Sequence, residues 1–432
     1  MAPTTAVAIP SAQQNETLLF FTLLELAVIV AAGRIGGALA RRAAQSPVVG
    51  EILMGILLGP SLLGWIAPQT FTLVFRSAAP EALEVLAGLG LVLLMFQVGL
   101  EFDFSHLAER INRAAVLRVS AACLAMPFAI GLVLGYYVAP ILSPQADQLD
   151  SALFIATAFS ITALPVLGRI LLELQITRTR LGVIAISAAA INDVAGWLML
   201  ALVTALTIAT FNGAHYGLRI LLLAAYFMLC IGVFRPLLKR LVQRSNPENG
   251  RMSGNLMGGL LVVIFLSAMA TYQLGIFAVF GGFLMGVILF DEAQFVSAWK
   301  SGIGHFVMVF FLPIFFTYTG LRTSIGSLHS ASAWGWCALI VALATLGKFG
   351  GAYYGARRAQ LNHEEATILG FMMNTRGLME LVVINVGLDL GVISREMFTI
   401  LVIMAIVSTI ITTPALRFYL PRVGMTVPAA RR

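Results

Sequence analysis

The stretch Ser160-Ile161-Thr162-Ala163-Leu164-Pro165 places two hydroxyl side chains and a proline inside the apolar run 151–172. Proline has no backbone N–H and its ring clashes with the preceding helical turn, so this run is not one regular helix. A second interruption, Asn374-Thr375-Arg376-Gly377, lies inside the apolar run 365–387. Unwound backbone in a membrane is tolerated only where protein buries it or it lines water. The two stretches predict a pair of broken membrane helices; the alternative is a simple proline kink and a simple glycine kink.

The composition of the whole chain is that of a membrane protein. Of its 432 residues, 59% are hydrophobic and 11% are charged, whereas a soluble domain has about 25% charged residues. This excludes a soluble enzyme, a disordered chain and a secreted disulfide scaffold. The sequence has no P-loop, G-x-S-x-G or H-E-x-x-H motif, so we expect neither ATP-driven transport nor a hydrolase, and the protein is predicted not to be an enzyme.

The apolar runs predict the number of spans, because a transmembrane helix needs roughly 20 apolar residues. Thirteen runs are found, at about 18–33, 47–65, 81–99, 114–140, 151–172, 181–209, 218–238, 255–272, 274–290, 303–321, 331–350, 365–387 and 397–416. We therefore predict an all-α polytopic membrane protein with thirteen transmembrane helices in contact with lipid.

The basic residues predict the orientation. With the N-terminus outside, 21 of the 27 lysines and arginines fall in inner loops and 4 in outer loops, as the positive-inside rule requires. We predict a protein of the cell inner (plasma) membrane with a cytoplasmic C-terminus. The net charge of +7 then reflects topology, and no nucleic-acid partner is expected. The predicted regions are an outer tail, 1–17, a membrane domain, 18–416, and a short cytoplasmic tail, 417–432.

Glycine patterns indicate an internal repeat. Glu51–Gly59 resembles Gly282–Leu289, and Val98–Glu101 resembles Thr319–Arg322. Both pairs lie seven segments apart, and since seven is odd the paired helices cross the membrane in opposite directions. The repeats would be 18–209 and 255–416, joined by a connector at 218–238. The same offset pairs the two interrupted segments, which points to a transport site near the membrane midplane.

Asp193 is the most informative charged residue within a span. Gly196 and two alanines leave its helix face small, so another helix or unwound backbone can approach it closely. Desolvation favours a proton on such a carboxylate, whereas a bound cation favours its ionised form. This competition suits an exchanger. Asn192 could offer its amide oxygen to the ion or hold nearby backbone, and the alternative is that Asp193 merely pairs with Lys348 or Arg376.

The other deep charges suggest structural roles. Arg376 and Glu380 are four residues apart and share a face if the helix resumes at Gly377. Lys348 could pair with Glu380 or with Asp193, and the sequence does not choose between them. No pair of histidines has metal-ligand spacing, so no metal cluster is expected.

Six motifs occur in an order that is hard to obtain by chance. They are Gly50-Glu-Ile-Leu-Met-Gly55-Ile-Leu-Leu-Gly59-Pro60-Ser61, Val98-Gly99-Leu100-Glu101, Ser160-Ile-Thr-Ala-Leu-Pro165-Val-Leu-Gly168-Arg169-Ile-Leu, Ala190-Ile-Asn192-Asp193-Val-Ala, Phe311-Leu-Pro313-Ile-Phe-Phe and Asn374-Thr375-Arg376-Gly377-Leu-Met-Glu380-Leu. On these residues the chain resembles the cation:proton antiporter-2 family, especially its plant cation/H+ exchanger and bacterial Kef-type branches.

The resemblance implies a sodium/proton antiporter fold with two inverted-topology repeats and crossed broken helices. It also implies a core that moves like an elevator against a dimerisation domain, a homodimer, and exchange of K+ or Na+ for H+. The predicted ion and proton site comprises Asp193, which would hold the monovalent cation, with Asn192, Thr162 and Ser160. The residues predicted at the crossing, with charge compensation, are Lys348, Arg376, Glu380, Asn374 and Thr375.

Two departures refine these expectations. Electrogenic sodium exchangers of this group carry two consecutive aspartates, and here Asn192 replaces the first, which suggests one-for-one exchange. Kef-type proteins often carry a cytosolic nucleotide-binding domain, but only about fifteen residues follow the last predicted span, so no such domain is expected in this chain. The motifs favour K+, with Na+ close behind, and no cofactor is expected beyond the transported ions.

Other functions remain open at this stage. A K+ efflux channel is one, although the chain has no Thr-Val-Gly-Tyr-Gly filter. A Na+-coupled organic-anion symporter is another, in which Arg376 and half-helix N-termini would hold a carboxylate. A sensor that keeps the fold without transport is the third.

Overall fold

The computed structural model shows a helical chain. It describes residues 11–43, 45–75, 80–100, 110–177, 179–208, 221–222, 224–245, 252–274, 278–328 and 330–425, and within these ranges there is no β-strand. Predictions that concern Glu101 or the chain ends lie outside the described residues.

The α-helices are numbered in chain order. They are α1 (Ser11–Arg42), α2 (Pro47–Leu58), α3 (Leu63–Ile66), α4 (Pro68–Phe75), α5 (Pro80–Leu100), α6 (Arg110–Leu142), α7 (Gln148–Ser160), α8 (Leu164–Glu173), α9 (Arg180–Ile208), α10 (Arg235–Ser245), α11 (Gly254–Gln273), α12 (Ala278–Val287), α13 (Ala293–Trp299), α14 (Leu312–Arg322), α15 (Ala331–Arg358), α16 (His363–Met373), α17 (Leu378–Asp389) and α18 (Arg395–Tyr419). π-Helical turns at Lys300–Gly304 and Val307–Phe311 lie between α13 and α14, and another at Cys230–Phe234 precedes α10.

Eight helical segments of the described chain are long and apolar enough to cross a membrane, and the bent pair that contains α13 and α14 makes a ninth. Four of the thirteen predicted segments correspond to none of these nine. Two of them are broken, α12 is only 10 residues long, and the segment 218–238 lies partly outside the described residues. The count of thirteen therefore stays a prediction, because a search for long continuous helices does not detect a helix that ends within the membrane.

Glycines from the predicted repeat lie where helices approach most closely. A Cβ atom on Gly55 of α2 would lie 2.5 Å from the carbonyl oxygen of Phe316 in α14. In the same way, Gly286 of α12 lies against the backbone of Phe96 and Gly99 in α5. Small residues allow such backbone contact between membrane helices. The predicted spans 47–65 and 303–321 thus pack on each other, and so do 81–99 and 274–290. Because the predicted repeat relates 47–65 to 274–290 and 81–99 to 303–321, these two contacts would correspond to each other in the two halves.

The long helices α6 and α15 hold the two interrupted segments. The helix α6 packs against both α7 and α15, and α15 also packs against α16. A Cβ atom on Gly135 of α6 would lie 2.9 Å from the Cα atom of Ala152 in α7, and one on Gly351 of α15 would lie 2.5 Å from the carbonyl oxygen of Ala122 in α6. The pair of α6 and α15 thus forms a support on which α7 and α16 pack.

Candidate functional site

Both predicted interruptions are breaks in the helices. The helix α7 ends at Ser160 and α8 begins at Leu164, with extended backbone between them. The helix α16 ends at Met373 and α17 begins at Leu378 after Gly377, whose φ of 154° favours glycine. The two breaks meet, because the Ala163 N–H donates a hydrogen bond of 3.0 Å to the Thr375 carbonyl oxygen.

Four helix ends therefore converge inside the protein. The last carbonyls of α7 and α16 and the first N–H groups of α8 and α17 have no partners within their own helices. Helix C-termini carry partial negative charge and N-termini partial positive charge. Cationic side chains near the two C-terminal ends and acidic side chains near the two N-terminal ends would therefore stabilise the crossing.

Arg376 supplies a cation to the C-terminal end of α7. Its guanidinium donates hydrogen bonds to the carbonyl oxygens of Ala158 at 2.9 Å, Phe159 at 3.0 Å and Ala344 at 3.3 Å. It also forms a 3.0 Å ion pair with Glu380, and both side chains are buried. Arg376 and Glu380 therefore lie together, although the helix resumes at Leu378 and leaves Arg376 outside α17. Through these contacts Arg376 holds together α7, α15 and α17.

Lys348 supplies the second cation to the same helix end. Its ammonium donates to the carbonyl oxygen of Ser160 and, at 3.3 Å, to that of Cys123. Among the described residues it forms no ion pair with Asp193 or Glu380, the two partners that the sequence left open. The tertiary structure instead gives Lys348 backbone carbonyl partners on α7 and α6.

Asp193 lies in the middle of α9 and has no solvent exposure. Neither of its carboxylate oxygens accepts a hydrogen bond in the described structure, and neither pairs with Lys348 or Arg376. The Leu164 N–H, at the start of α8, and the Lys348 ammonium lie close enough to favour its ionised form, but neither meets the geometry of a hydrogen bond or an ion pair with it. Asp193 is thus a buried acid at the N-terminal end of a half-helix.

The small face of α9 allows the break to approach Asp193. A Cβ atom on Gly196 would lie 2.8 Å from the Ile161 side chain, within the extended backbone. Thr162, the next residue, has a buried hydroxyl without a hydrogen-bond partner. The unwound segment thus approaches the small face of α9 through a side chain, at the close distance that the sequence around Asp193 allows.

Asn192 is held by a residue that the sequence analysis missed. Its amide oxygen accepts a 2.6 Å hydrogen bond from the Ser120 hydroxyl of α6, while its amide nitrogen has no partner. The only sequence signal for Ser120 is a single hydroxyl in an apolar run. The two roles considered for Asn192 were binding the ion and holding nearby backbone. In the structure its amide oxygen instead binds the side-chain hydroxyl of Ser120.

The remaining predicted residues use their side chains near the breaks. The Ser160 hydroxyl donates to the Ala156 carbonyl oxygen within α7 at 2.8 Å. The Thr375 hydroxyl, just beyond the end of α16, donates to the Met372 carbonyl oxygen of that helix, also at 2.8 Å. Asn374 donates to the Ser408 carbonyl oxygen at 3.4 Å, and its own amide oxygen has no partner.

Thr409 of α18 was also missed, and it fixes the second break. Its hydroxyl accepts a hydrogen bond from the Arg376 N–H at 3.0 Å and donates to the Arg376 carbonyl oxygen at 2.7 Å. One side chain thus satisfies both backbone groups of a residue that has left the helix. Such pairing leaves no local signature, because threonines are common in apolar segments.

We expect Thr409→Val to lower the free energy of unfolding by about 2 kcal/mol, since a buried backbone group left without a partner costs about 1–3 kcal/mol. Thr409→Ser keeps the hydroxyl and should stay close to wild type. Thermal unfolding of the purified proteins measures both effects. Equal stability of Thr409→Val and Thr409→Ser would contradict this role.

A helical membrane protein with crossed, broken helices and a buried acid at their meeting point is a membrane transporter of the discontinuous-helix class. The model of the family "Sodium/hydrogen exchanger, transmembrane" matches residues 26–421. The chain belongs to this family, which confirms the resemblance seen in the motifs. The family is one of transporters.

Several known proteins are similar to this chain. A Na(+)/H(+) antiporter, NhaS4 of Synechocystis, is 39% identical over 92% of this chain and 96% of its own length. Cation/H(+) antiporter 17 of Arabidopsis thaliana is 35% identical over 94% of this chain, and K(+)/H(+) antiporter 1 of Saccharomyces cerevisiae is 31% identical over 87%. This chain spans 49% and 44% of those two relatives, about half of their length.

The fold is that of a solved transporter structure. The sodium proton antiporter MjNhaP1 from Methanocaldococcus jannaschii matches with a TM-score of 0.59, over 93% of this chain and 96% of that chain, at 15% identity. At this identity the likeness concerns the fold alone.

Proposed function

We propose that this protein exchanges a monovalent cation for protons and that Asp193 binds each of them in turn. The observation that carries the proposal is a fully buried carboxylate with no hydrogen-bonding or ion-pair partner. An ionised carboxylate in such a place costs several kcal/mol. A proton or an alkali cation removes that cost, and the two cannot be bound together. Competition for one acid therefore couples the two ions.

The charges at the crossing favour one-for-one exchange. Lys348 and Arg376 are balanced by Asp193 and Glu380, all of them buried. Either a proton or a monovalent cation on Asp193 adds one positive charge. The loaded site then has the same charge in both directions of transport. Asn192, in place of a second acid, adds no titratable group.

The ion is proposed to be K+ or Na+. The names of the relatives mention Na+/H+, cation/H+ and K+/H+ antiport, and the motifs favour K+ with Na+ close behind. Thr162, with its buried unpartnered hydroxyl, is proposed as a further oxygen ligand beside Asp193. Ser160 is proposed to shape the site through its backbone carbonyl group, which binds Lys348. Asn192 is proposed to do so in the position where its hydrogen bond to Ser120 holds it.

The finer architecture is part of the same proposal. It comprises thirteen transmembrane helices in two inverted repeats, elevator-type movement, a homodimer, an outer N-terminus and a cytoplasmic C-terminus, in the inner (plasma) membrane. The helix contacts at the repeat glycines support the inverted repeats, and the distribution of basic residues supports the orientation. The elevator-type movement and the homodimer are proposed from the resemblance to the family.

The site offers little support for organic-anion symport. Arg376, the group that would hold a carboxylate, already donates to three backbone carbonyls and to Glu380. Binding an organic anion there would require these contacts to break.

Exchange is tested in vesicles that contain the purified protein and a fluorescent pH indicator. We expect K+ or Na+ to dissipate an imposed pH gradient, with the same rate whether or not a membrane potential is imposed by a gradient of a permeant anion. Comparison of Li+, Na+, K+ and Rb+ identifies the ion. A conductance without proton movement would instead indicate a channel, and a rate that follows the potential would contradict one-for-one exchange.

A further inference from the structure

The helix α10 carries four basic residues near the end of the predicted span 218–238, and two of them are neutralised. Arg235 lies 3.0 Å from the Asp291 carboxylate, and Lys239 contacts the same carboxylate. Partial burial opposes ionisation of Asp291, but the hydrogen bonds from Lys239 and Arg235 lower its pKa overall. Asp291 is therefore ionised at neutral pH, and this corner of the protein carries little net charge.

The other two basic residues, Arg240 and Arg244, have no acidic partner among the described residues. Both are exposed, and so are Leu237 and Leu241 on the same helix. These positions are spaced three and four residues apart and share one face of α10. Two arginines and two leucines thus lie together on one exposed face at the end of the predicted span. Arginine side chains near the end of a membrane helix reach the interface, where lipid headgroups lie.

An apolar groove lies next to this helix. Its volume is about 340 Å³, and its walls come from the segment before α10, from α11 and from α12. The polar side chains in it satisfy each other, since the Tyr226 hydroxyl and the Ser267 hydroxyl lie 2.6 Å apart. Phe234 lines the groove, and Arg240 follows about 9 Å further along the helix axis.

We propose that the arginine face of α10 and this groove together bind one anionic phospholipid. Arg240 and Arg244 hold the phosphate, because a guanidinium donates paired hydrogen bonds to phosphate oxygens. An acyl chain fills the groove, which offers it no unpaired polar group. Asp291 and Glu292 already pair with Arg235 and Lys239. Of the four basic residues of α10, Arg240 and Arg244 therefore remain for the headgroup.

The experiment compares the full-length protein with Arg240→Gln/Arg244→Gln. Arg41→Gln/Arg42→Gln removes the same charge from the exposed end of α1 and serves as the matched control. The melting temperature of purified, delipidated protein is measured with added phosphatidylglycerol, phosphatidylcholine or inorganic phosphate, and retained lipid is counted by native mass spectrometry.

We expect phosphatidylglycerol alone to raise the melting temperature of the wild type and of the control. The α10 variant should bind it about 30-fold more weakly, since each basic residue near an anionic lipid contributes about 1 kcal/mol. Asp193→Asn should keep the response, so the result is independent of transport. An equal response of the α10 variant, an equal effect of phosphatidylcholine or phosphate, or a change only in oligomeric state would overturn the proposal.

Discussion

Replacing Asp193 with asparagine is expected to abolish cation-dependent proton movement, with a loss of at least about 100-fold, equivalent to about 2.7 kcal/mol. The amide has nearly the same shape but can neither carry the exchanged proton nor neutralise a cation. Because the change removes a buried carboxylate without a hydrogen-bond partner, stability should be unchanged or higher. The pH-indicator vesicles and a thermal unfolding measurement separate loss of transport from loss of fold.

Glu25→Gln is the matched control for this variant. Glu25 is a second buried acid within a predicted span, but it belongs to α1, which packs on α2 and α14 rather than at the crossing. We expect its transport to stay near the wild-type rate. Normal exchange by Asp193→Asn, or equal losses in the two variants, would falsify the assignment of Asp193 as the shared site.

Replacing Arg376 with glutamine is expected to have the largest effect on stability. The variant leaves Glu380 buried without its ion-pair partner and leaves the Ala158 and Phe159 carbonyls without their donor. Removing one member of a buried ion pair costs about 3–5 kcal/mol. The melting temperature of the purified protein should fall steeply, or little folded protein should be recovered.

Two further variants separate the charge effect from the hydrogen bonds. Arg376→Gln/Glu380→Gln removes the unpaired charge and should recover part of the lost stability, and the double-mutant cycle measures the coupling. Arg422→Gln is the control, because Arg422 lies at the surface, 4.0 Å from Glu364 and over the rings of Phe418 and Tyr419, where such contacts contribute about 1 kcal/mol. If Arg376→Gln unfolds like Arg422→Gln, Arg376 does not hold the crossing together.

Most features of the site that depend on local chemistry could be predicted from the sequence. Pro165 follows two hydroxyl residues, and the run 374–377 is polar, so both breaks were predictable. A proline alone does not decide a break, because Pro127 and Pro140 lie within α6 and Pro414 lies within α18.

Gly196 beside Asp193 predicted close approach of another segment, and the side chain of Ile161, in the extended segment, provides it. The sequence also predicted that Arg376 and Glu380, four residues apart, would lie together, and they form an ion pair although Arg376 precedes the first residue of α17.

The number of spans was harder to establish. Hydropathy identifies apolar runs, but α12 is only 10 residues long, and α13 and α14 are joined through two π-helical turns with a bend of 44°. Helix lengths within the membrane depend on packing against neighbours, which apolar composition does not encode.

The sequence by itself determined that this is a membrane protein with two broken helices and a buried acid between them, because proline, glycine and charge act on the segment that carries them. Only the tertiary structure decided that Lys348 binds the Ser160 carbonyl, that Ser120 holds Asn192, and that Thr409 fixes the backbone of Arg376. Two of these partners are backbone groups, which every residue carries. A residue pattern therefore cannot predict which backbone group a side chain that is distant in sequence will bind.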